Sequence, residues 1–217
     1  MKSFVYEKMP KVYFGQGALK KFLPEELKKV GNTVMLAYGG GSIKRTGLYD
    51  EVMNVLKENG KNVVGFKDIM SNPTYSKVQE GVRLVKENNV DFILAVGGGS
   101  VIDCCKIVSA QAMIDEDIWE MEFENRKFPI EFIKMASVVT ASGTGAEMNN
   151  GAVITNEEKK IKAGLLGALS DFVILDPSYT LTVPMKQVIS GAFDTLSHCM
   201  ETYFGKPSEN NVSDEIT

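Results

Sequence analysis

The sequence predicts a doubly wound α/β fold, in which one parallel sheet carries helices on both faces. Three runs are apolar without alternation, which is typical of strands buried on both sides: TVMLAY (33–38), DFILAV (91–96) and MASVVT (135–140). Segments with helical spacing separate these runs, as in the apolar stripe of Val78, Val82 and Val85. The first two runs each lead into Gly-Gly-Gly-Ser, a sequence suited to the tight turn between a strand and the next helix.

The remaining segments extend this alternation along the chain. Further strands are predicted at 11–15, 62–66, 151–155 and 172–176. Further helices are predicted at 18–29, along the apolar face from Leu48 to Leu56, at 101–113 and at 186–204. The charged stretch 115–131 is predicted to be a helix or a surface excursion, and Ser213 is predicted to cap the start of another helix.

Composition excludes several classes of protein. The chain has 217 residues, of which 44% are hydrophobic and 24% are charged, as in an ordinary globular protein. A formal net charge of −4 gives no general attraction to nucleic acid or to anionic membranes, so neither is expected as a partner. No apolar run approaches membrane-spanning length. Three cysteines without a CxxC pair favour a reducing compartment, and we expect a cytoplasmic protein.

The second glycine loop, GGGSVIDCCK (97–106), has the form of an anion site, because backbone N–H groups at a helix N-terminus attract phosphate oxygens. Gly98, Gly99 and Ser100 would face the pyrophosphate of a dinucleotide, and Asp103 would fix the loop or a ribose hydroxyl. A tight turn that binds nothing is the alternative, since three glycines form such turns easily. A second glycine loop after another buried strand, and a third at 143–145, favour a nucleotide.

The first glycine loop indicates which dinucleotide would bind. Sites that prefer NAD commonly place an acidic residue after a strand to hold the ribose 2′-hydroxyl, and a carboxylate there repels a 2′-phosphate. This chain has small uncharged residues instead, Gly40, Gly41 and Ser42, followed by Lys44 and Arg45. The loop therefore favours NADP, although the two cations are equally consistent with a solvated start of a helix.

Asp194 and His198 are four residues apart in a predicted helix, so their side chains lie on one face one turn apart. A carboxylate and an imidazole at this spacing can bind one divalent cation. His198 is the only histidine of the chain, and two protein ligands seldom hold a catalytic metal. A structural histidine is therefore the alternative.

Three longer motifs resemble one protein family: GGGSVIDCCK (97–106), VTASGTGAEMNNGAVIT (139–155) and FVILDPSYTLTVPMKQVISGAFDTLSHCMETYF (172–204). Together they resemble the iron-containing (group III) alcohol dehydrogenases, and more closely their NADP-dependent branch of butanol dehydrogenases and aldehyde reductases. The resemblance implies a Rossmann-like, dehydroquinate-synthase-like α/β cofactor domain at 1–183. It also implies that 184–217 begins an all-helical metal domain.

By position, the resemblance implies a set of cofactor contacts. It places Gly40, Gly41 and Ser42 at the adenosine 2′-phosphate, Asn72 near the adenosine, Gly98, Gly99, Ser100 and Asp103 at the pyrophosphate, Thr140 and Ser142 in the cofactor pocket, and Lys162 and Tyr179 beside the cofactor from later segments. The implied activity is hydride transfer between NADP(H) and a primary alcohol or aldehyde, and no side chain is assigned as a catalytic acid, base or nucleophile.

The same resemblance makes Asp194 and His198 the first two ligands of iron or zinc. Family members are nearly twice as long and supply two further histidines, so we expect the metal site of this chain to be incomplete. A truncated, catalytically inactive nucleotide-binding module is therefore the alternative function. The helix at 186–204 has an apolar stripe without a partner, so we expect a homo-oligomer or mobility beyond about residue 184.

Overall fold

A computed structural model describes residues 10–205. This part of the chain contains eight strands: β1 (Lys11–Phe14), β2 (Thr33–Tyr38), β3 (Asn62–Phe66), β4 (Phe92–Gly97), β5 (Lys134–Val139), β6 (Gly151–Asn156), β7 (Ile161–Leu166) and β8 (Phe172–Leu175). Six of them form one sheet in the order β1-β8-β5-β4-β2-β3, and every pairing in it is parallel.

Residues 10–205 also contain six α-helices, the last of which follows β8, and three short helical turns. The helices are α1 (Ala18–Leu27), α2 (Ser42–Arg45), α3 (Leu48–Glu58), α4 (Tyr75–Asn88), α5 (Gly99–Gln111) and α6 (Met185–Phe204). The turns are a π-helical one at Glu120–Glu124 and 3₁₀ turns at Ala146–Met148 and Pro177–Thr180.

The sheet separates two apolar cores, as the continuous apolar strands predicted. In β4, Phe92, Leu94 and Val96 pack on the side that α1 and α3 cover. Ile93 and Ala95 point to the opposite side, which α4 and α5 cover. Because alternate residues of each central strand belong to different cores, both faces must be apolar. The predicted doubly wound α/β fold is confirmed.

The order of the strands creates a crevice at the carboxyl ends of β2 and β4. From β2 the chain continues through α3 to β3 on one side, whereas from β4 it continues through α5 to β5 on the other. The segments that leave β2 and β4 at their carboxyl ends therefore diverge. Open α/β sheets bind ligands at such a switch point, and both Gly-Gly-Gly-Ser sequences lie there.

The segment after β6 forms a hairpin that sequence reasoning did not predict. β6 pairs with β7 in an antiparallel two-stranded sheet, separate from the main one. Its polar turn ends with Lys160 at φ 54°, and beyond it the apolar side chain of Leu165 is buried. The hairpin packs on α5 and, through the pairing of Thr74 with Thr155, beside the start of α4. The second strand was missed because Ile161 and Lys162, its first two residues, continue the lysine-rich polar segment, and Gly164 interrupts its apolar pattern.

The charged stretch 115–131 is folded against this hairpin. Trp119 is buried at its centre and packs on Tyr75 of α4. Glu122, in the π-helical turn, accepts a hydrogen bond of 2.5 Å from the N–H of Leu166 at the end of β7. The predicted surface excursion is therefore anchored at both its aromatic and its acidic side chains.

The last helix differs from the others in its exposure. α6 has the apolar residues that the sequence indicated, yet none of its residues is buried. Among residues 10–205, no helix is long and apolar enough to cross a membrane. The helix start predicted at Ser213 lies outside the described residues.

Candidate functional site

The loop after β2 leaves open space above its backbone. Gly41 adopts φ +94°, a conformation that favours glycine, and it precedes the first turn of α2. No atom lies within 4 Å of the position that a Cβ on Gly40 would occupy. At Gly39 a Cβ would lie 3.1 Å from the carbonyl oxygen of Ile69, so the loop after β3 passes directly beside this glycine.

The loop after β4 ends at the N-terminus of α5. Gly98 is extended, and no side chain caps the helix that follows it. The amides of Val101 and Ile102 both bond to the carbonyl oxygen of Gly98, which leaves the first amides of the helix available to an external acceptor. A 13-residue helix also places its positive dipole end at this point.

A third glycine loop covers this helix terminus. A Cβ on Gly99 would lie 2.4 Å from the hydroxyl oxygen of Thr144, so only glycine permits this approach. Gly145 follows at φ +62°, which turns the chain into the 3₁₀ turn at Ala146–Met148. The loops after β4 and β5 are thus packed directly against one another.

The carboxylate of Asp103 has protein partners. It accepts a hydrogen bond of 3.1 Å from the N–H of Val153 in β6 and lies 3.6 Å from the ammonium of Lys106. Burial raises the pKa of Asp103, and these two partners oppose that effect. The side chain therefore joins α5 to the hairpin, and the two roles predicted for it toward the dinucleotide stay predictions.

Asn72 and Lys162 are far apart in sequence and meet in the structure. The ammonium of Lys162 on β7 donates a hydrogen bond of 2.7 Å to Oδ1 of Asn72, which has φ 53° in the loop after β3. This loop is the one that passes Gly39. The two predicted cofactor contacts therefore lie on the same side of the crevice as the first glycine loop.

Three further predicted residues share one cleft of about 130 Å³. Ser42, Thr140 and Tyr179 line it, together with residues of the segment that leads into α6. The hydroxyl of Tyr179 donates a hydrogen bond of 3.0 Å to Glu51 of α3. Burial and this carboxylate both raise the pKa of Tyr179, so its hydroxyl keeps its proton.

Ser142 lies in a neighbouring cleft of about 340 Å³, between the loop after β5 and α6. Asp176 stabilises the turn that carries Tyr179, because its carboxylate accepts hydrogen bonds from the N–H groups of Gly17 and Ser178. A larger cleft, of about 760 Å³, lies near Pro10, Ile130 and Asp171 and contains none of the predicted residues. This larger cleft is therefore separate from the glycine loops.

Two aromatic residues beside the first glycine loop were not predicted. The ammonium of Lys44 lies 5.3 Å from the ring centre of Tyr38 and 4.9 Å from that of Tyr49. Tyr38, and to a lesser degree Tyr49 and Asp68, raise the pKa of Lys44. A tyrosine at the end of a buried apolar run was the available signal, because such a position faces the crevice.

Asp194 and His198 are neighbours on α6, as their spacing predicted. Nε2 of His198 lies 3.8 Å from Oδ2 of Asp194, and Nδ1 lies 3.5 Å from Oε2 of Glu201. Within residues 10–205, no group of three or more histidine, cysteine or carboxylate side chains is placed to hold a metal ion. The Asp194–His198 pair fits one cation from one side but does not complete its coordination.

The parallel sheet, its switch point and the glycine loops define a Rossmann-like α/β domain. The chain belongs to the iron-containing alcohol dehydrogenase family, whose sequence model matches residues 10–177. The family resemblance stated from the sequence motifs is thereby confirmed.

Similar proteins carry names from both cofactor classes. The chain is 44% identical to a protein of Bacillus subtilis named probable NADH-dependent butanol dehydrogenase 1, over the whole chain and 56% of that relative. It is 37% identical to an NADPH-dependent aldehyde reductase of Escherichia coli, again over the whole chain and 56% of the relative. The crystal structure of NADH-dependent butanol dehydrogenase A from Thermotoga maritima superposes with a TM-score of 0.90 at 40% identity, covering all of this chain and 54% of that one. The chain thus spans a little over half the length of these relatives.

Proposed function

We propose that this chain supplies the dinucleotide-binding part of an oxidoreductase that transfers a hydride between NADP(H) and a primary alcohol or aldehyde. The observation that carries the proposal is the uncapped N-terminus of α5 at the switch point, beside the first glycine loop: a Cβ on Gly39 would lie 3.8 Å from the side chain of Val101 in α5. The first amides of this helix are donors that match a pyrophosphate, and the loop that carries Thr144 covers them.

In this proposal, each stretch of the crevice binds one part of the dinucleotide. The amides at Gly98, Gly99 and Ser100 receive the pyrophosphate, while Asp103 holds α5 against the hairpin behind them. The hydrogen-bonded pair of Asn72 and Lys162 contacts the adenosine end.

The nicotinamide end lies over the loop after β5. Thr140, Ser142 and Tyr179 supply hydroxyl groups to the two neighbouring clefts there. Because Tyr179 keeps its proton and is fixed by Glu51, we assign it to binding, and no side chain is assigned to proton transfer. What remains for the chain in hydride transfer is orientation of the dinucleotide and exclusion of water.

The preference for NADP rests on the first glycine loop. Gly40, Gly41 and Ser42 leave room for a 2′-phosphate, and Lys44, held over two tyrosine rings, provides a fixed positive charge next to it. One observation favours NAD instead. Asp68 follows β3 at φ 61°, near the place where sheets of this class put the carboxylate that binds a ribose 2′-hydroxyl.

Asp194 and His198 would contribute two ligands to a divalent metal, iron or zinc. When bound, such a metal acts as a Lewis acid toward the substrate oxygen. Because the described residues supply only this pair, a nucleotide-binding module without catalytic activity is the second candidate function.

The test of cofactor binding is a fluorescence titration of the chain with NADPH and with NADH. We expect tighter binding of NADPH, and we expect Lys44→Gln to reduce this preference by about tenfold, since one neighbouring charge is lost. Lys57→Gln, at the far end of α3, is the matched control and should change neither affinity. Tighter binding of NADH than of NADPH, with Asp68→Asn weakening only NADH, would identify NAD as the cofactor.

Catalysis is tested separately from binding. The chain is incubated with NADPH, butanal and Fe²⁺ or Zn²⁺, and the absorbance of NADPH is followed. Turnover that disappears in Asp194→Asn would support the oxidoreductase. Binding of NADPH without metal-dependent turnover would support the inactive module for this chain.

A further inference from the structure

Lys106 is a charged side chain that is fully enclosed within the molecule. It lies on α5, two turns after the helix terminus, and none of its surface is exposed. Its ammonium donates hydrogen bonds to the carbonyl oxygen of Gly151, at 2.6 Å, and to Oδ1 of Asn149, at 3.1 Å. The third partner is the carboxylate of Asp103, at 3.6 Å. Two N–H groups of the ammonium therefore donate hydrogen bonds, and the carboxylate of Asp103 supplies an opposite charge at ion-pair distance.

The electrostatic attraction in a buried ion pair often does little more than offset the free energy needed to remove its charges from water. Burial lowers the pKa of Lys106, while Asp103 and Glu147 oppose that shift. A buried ion pair can often be replaced by apolar side chains of similar volume without loss of stability. What an ammonium provides, and an apolar side chain does not, is a fixed position for two hydrogen-bond acceptors and one carboxylate.

One of these acceptors leads to the pyrophosphate site. The side chain of Asn149 that binds Lys106 through Oδ1 donates through Nδ2 to the carbonyl oxygen of Gly145, at 3.0 Å. Gly145 directly follows Thr144, whose hydroxyl lies in the space that a Cβ on Gly99 would need. Two hydrogen bonds thus connect the ammonium to the loop that covers the first amides of α5.

A second set of contacts holds α5 against the hairpin. The backbone of Lys106 packs so closely against Gly167 that a Cβ there would lie 2.6 Å away. The hairpin strand that accepts from Lys106 at Gly151 also binds Asp103 at Val153. Lys106 is therefore the point at which α5, the loop of residues 143–149 and the hairpin meet.

We propose that Lys106 is a positioning residue for the pyrophosphate of the bound dinucleotide, acting through Asn149 on the 143–145 loop. The inference rests on the proposed cofactor binding. In it, the ammonium sets the gap between Thr144 and the amides of Gly99 and Ser100, so that the pyrophosphate meets donors already in place.

The first test replaces the link and leaves the buried ammonium in place. Asn149→Ala removes three hydrogen bonds at an exposed position: those from Lys106 and from the N–H of Gly151, and the one to Gly145. Asn150→Ala is the neighbouring control, since the side chain of Asn150 makes no hydrogen bond within residues 10–205. We expect Asn149→Ala to weaken NADPH binding about tenfold, and Asn150→Ala to change it less than about twofold. Melting temperatures measured on the same samples report any general loss of structure.

A second ligand distinguishes positioning from damage to the fold. 2′-AMP carries the adenosine 2′-phosphate but no pyrophosphate, so its affinity should be the same in Asn149→Ala as in the unchanged chain. Equal weakening of NADPH and 2′-AMP by this substitution would overturn the proposal, because it would show a general structural role.

The ammonium itself is tested with Lys106→Met, and Lys77→Met is the control. Lys77 is also nearly buried, but it pairs with Glu80 on α4, away from the 143–149 loop. We expect Lys106→Met to weaken NADPH binding about as much as Asn149→Ala does. The variant that combines these two substitutions should lose no more NADPH affinity than either substitution alone. If Lys106→Met does not fold, the two asparagine variants decide the question.

The outcomes separate the two proposals. An unchanged chain that binds no dinucleotide would contradict the proposed function. A chain that binds NADPH normally, and still does so with Asn149→Ala or Lys106→Met, would refute the inference about Lys106 and leave cofactor binding intact.

Discussion

Glu122 shows at the scale of one residue how a local contact changes the response of the fold to pH. Its side chain is almost fully buried, and one carboxylate oxygen accepts from the N–H of Leu166. The other oxygen has no hydrogen-bond partner within residues 10–205, and neither has the indole nitrogen of Trp119. Burial raises the pKa of Glu122 to about 7, and the bond from Leu166 only partly opposes this shift.

This pKa leads to a stability prediction with a definite sign. Between pH about 4.5 and about 7 the unfolded chain loses the proton of Glu122 while the native state keeps it, so stability falls as pH rises. Glu122→Gln removes this titration. In urea denaturation at pH 8, we expect the free energy of unfolding of the variant to exceed that of the unchanged chain by at most about 3 kcal/mol. Near pH 4.5 this difference should disappear.

The control for this measurement is Glu120→Gln in the same π-helical turn. Glu120 is exposed, so its replacement should leave the pH dependence of unfolding unchanged. An advantage of Glu122→Gln that was the same at both pH values would show that packing, and not ionisation, had changed.

Gly40 gives a second prediction for a single residue. A methyl group there meets no protein atom within 4 Å, and the backbone does not need a positive φ, so Gly40→Ala should fold with an unchanged melting temperature. The methyl group would nevertheless enter the space proposed for the dinucleotide. We expect at least about tenfold weaker NADPH binding in a fluorescence titration. Gly65→Ala, on the edge strand β3, is equally unhindered and should bind normally.

At the scale of the element, α6 contrasts with the helices that cover the sheet. α1 and α3 each bury a row of leucine and valine side chains, whereas no residue of α6 is buried. Its first turns line the clefts beside the loop after β5, through Gln187, Val188, Gly191, Ala192 and Thr195. The last buried residue before α6 is Asp176, and residues 177–184 are half-buried or exposed, so the boundary between residues 183 and 184 stays a prediction.

This contrast predicts the effect of removing the helix. A chain that ends at Val183 should keep the parallel sheet and melt within about 3 °C of the full sequence, because no core residue is lost. Circular dichroism would show the loss of about one helix without a change in cooperativity. A fall of about 8 °C or more would mean that α6 stabilises the sheet domain and that the boundary is misplaced.

At the scale of the whole molecule, the sheet was predictable because burial on both faces leaves a strong pattern. The strand 33–38 was predicted with the bounds it has, and DFILAV differs from β4 by one residue at each end. The glycine loops were predictable for the same reason, since they follow these strands. The contacts of Asp103 and Lys106 were not predictable, because their partners come from the hairpin and the 143–149 loop, whose packing no local pattern reveals.

The exposed apolar surface of α6 bears on the molecule as a whole, because it is too extensive for an isolated chain in water. The exposed residues include Met185, Val188, Ile189, Phe193, Leu196, Met200, Tyr203 and Phe204. We expect light scattering after size exclusion to give a molar mass that increases with protein concentration. The paired substitution Phe193→Lys and Leu196→Lys should return the monomer, because it removes apolar area and adds like charges. Ser190→Lys with Thr202→Lys adds the same charge to exposed polar positions and should leave the association in place. If both pairs dissociate the protein equally, charge repulsion alone is responsible, and the apolar face of α6 is not the contact surface.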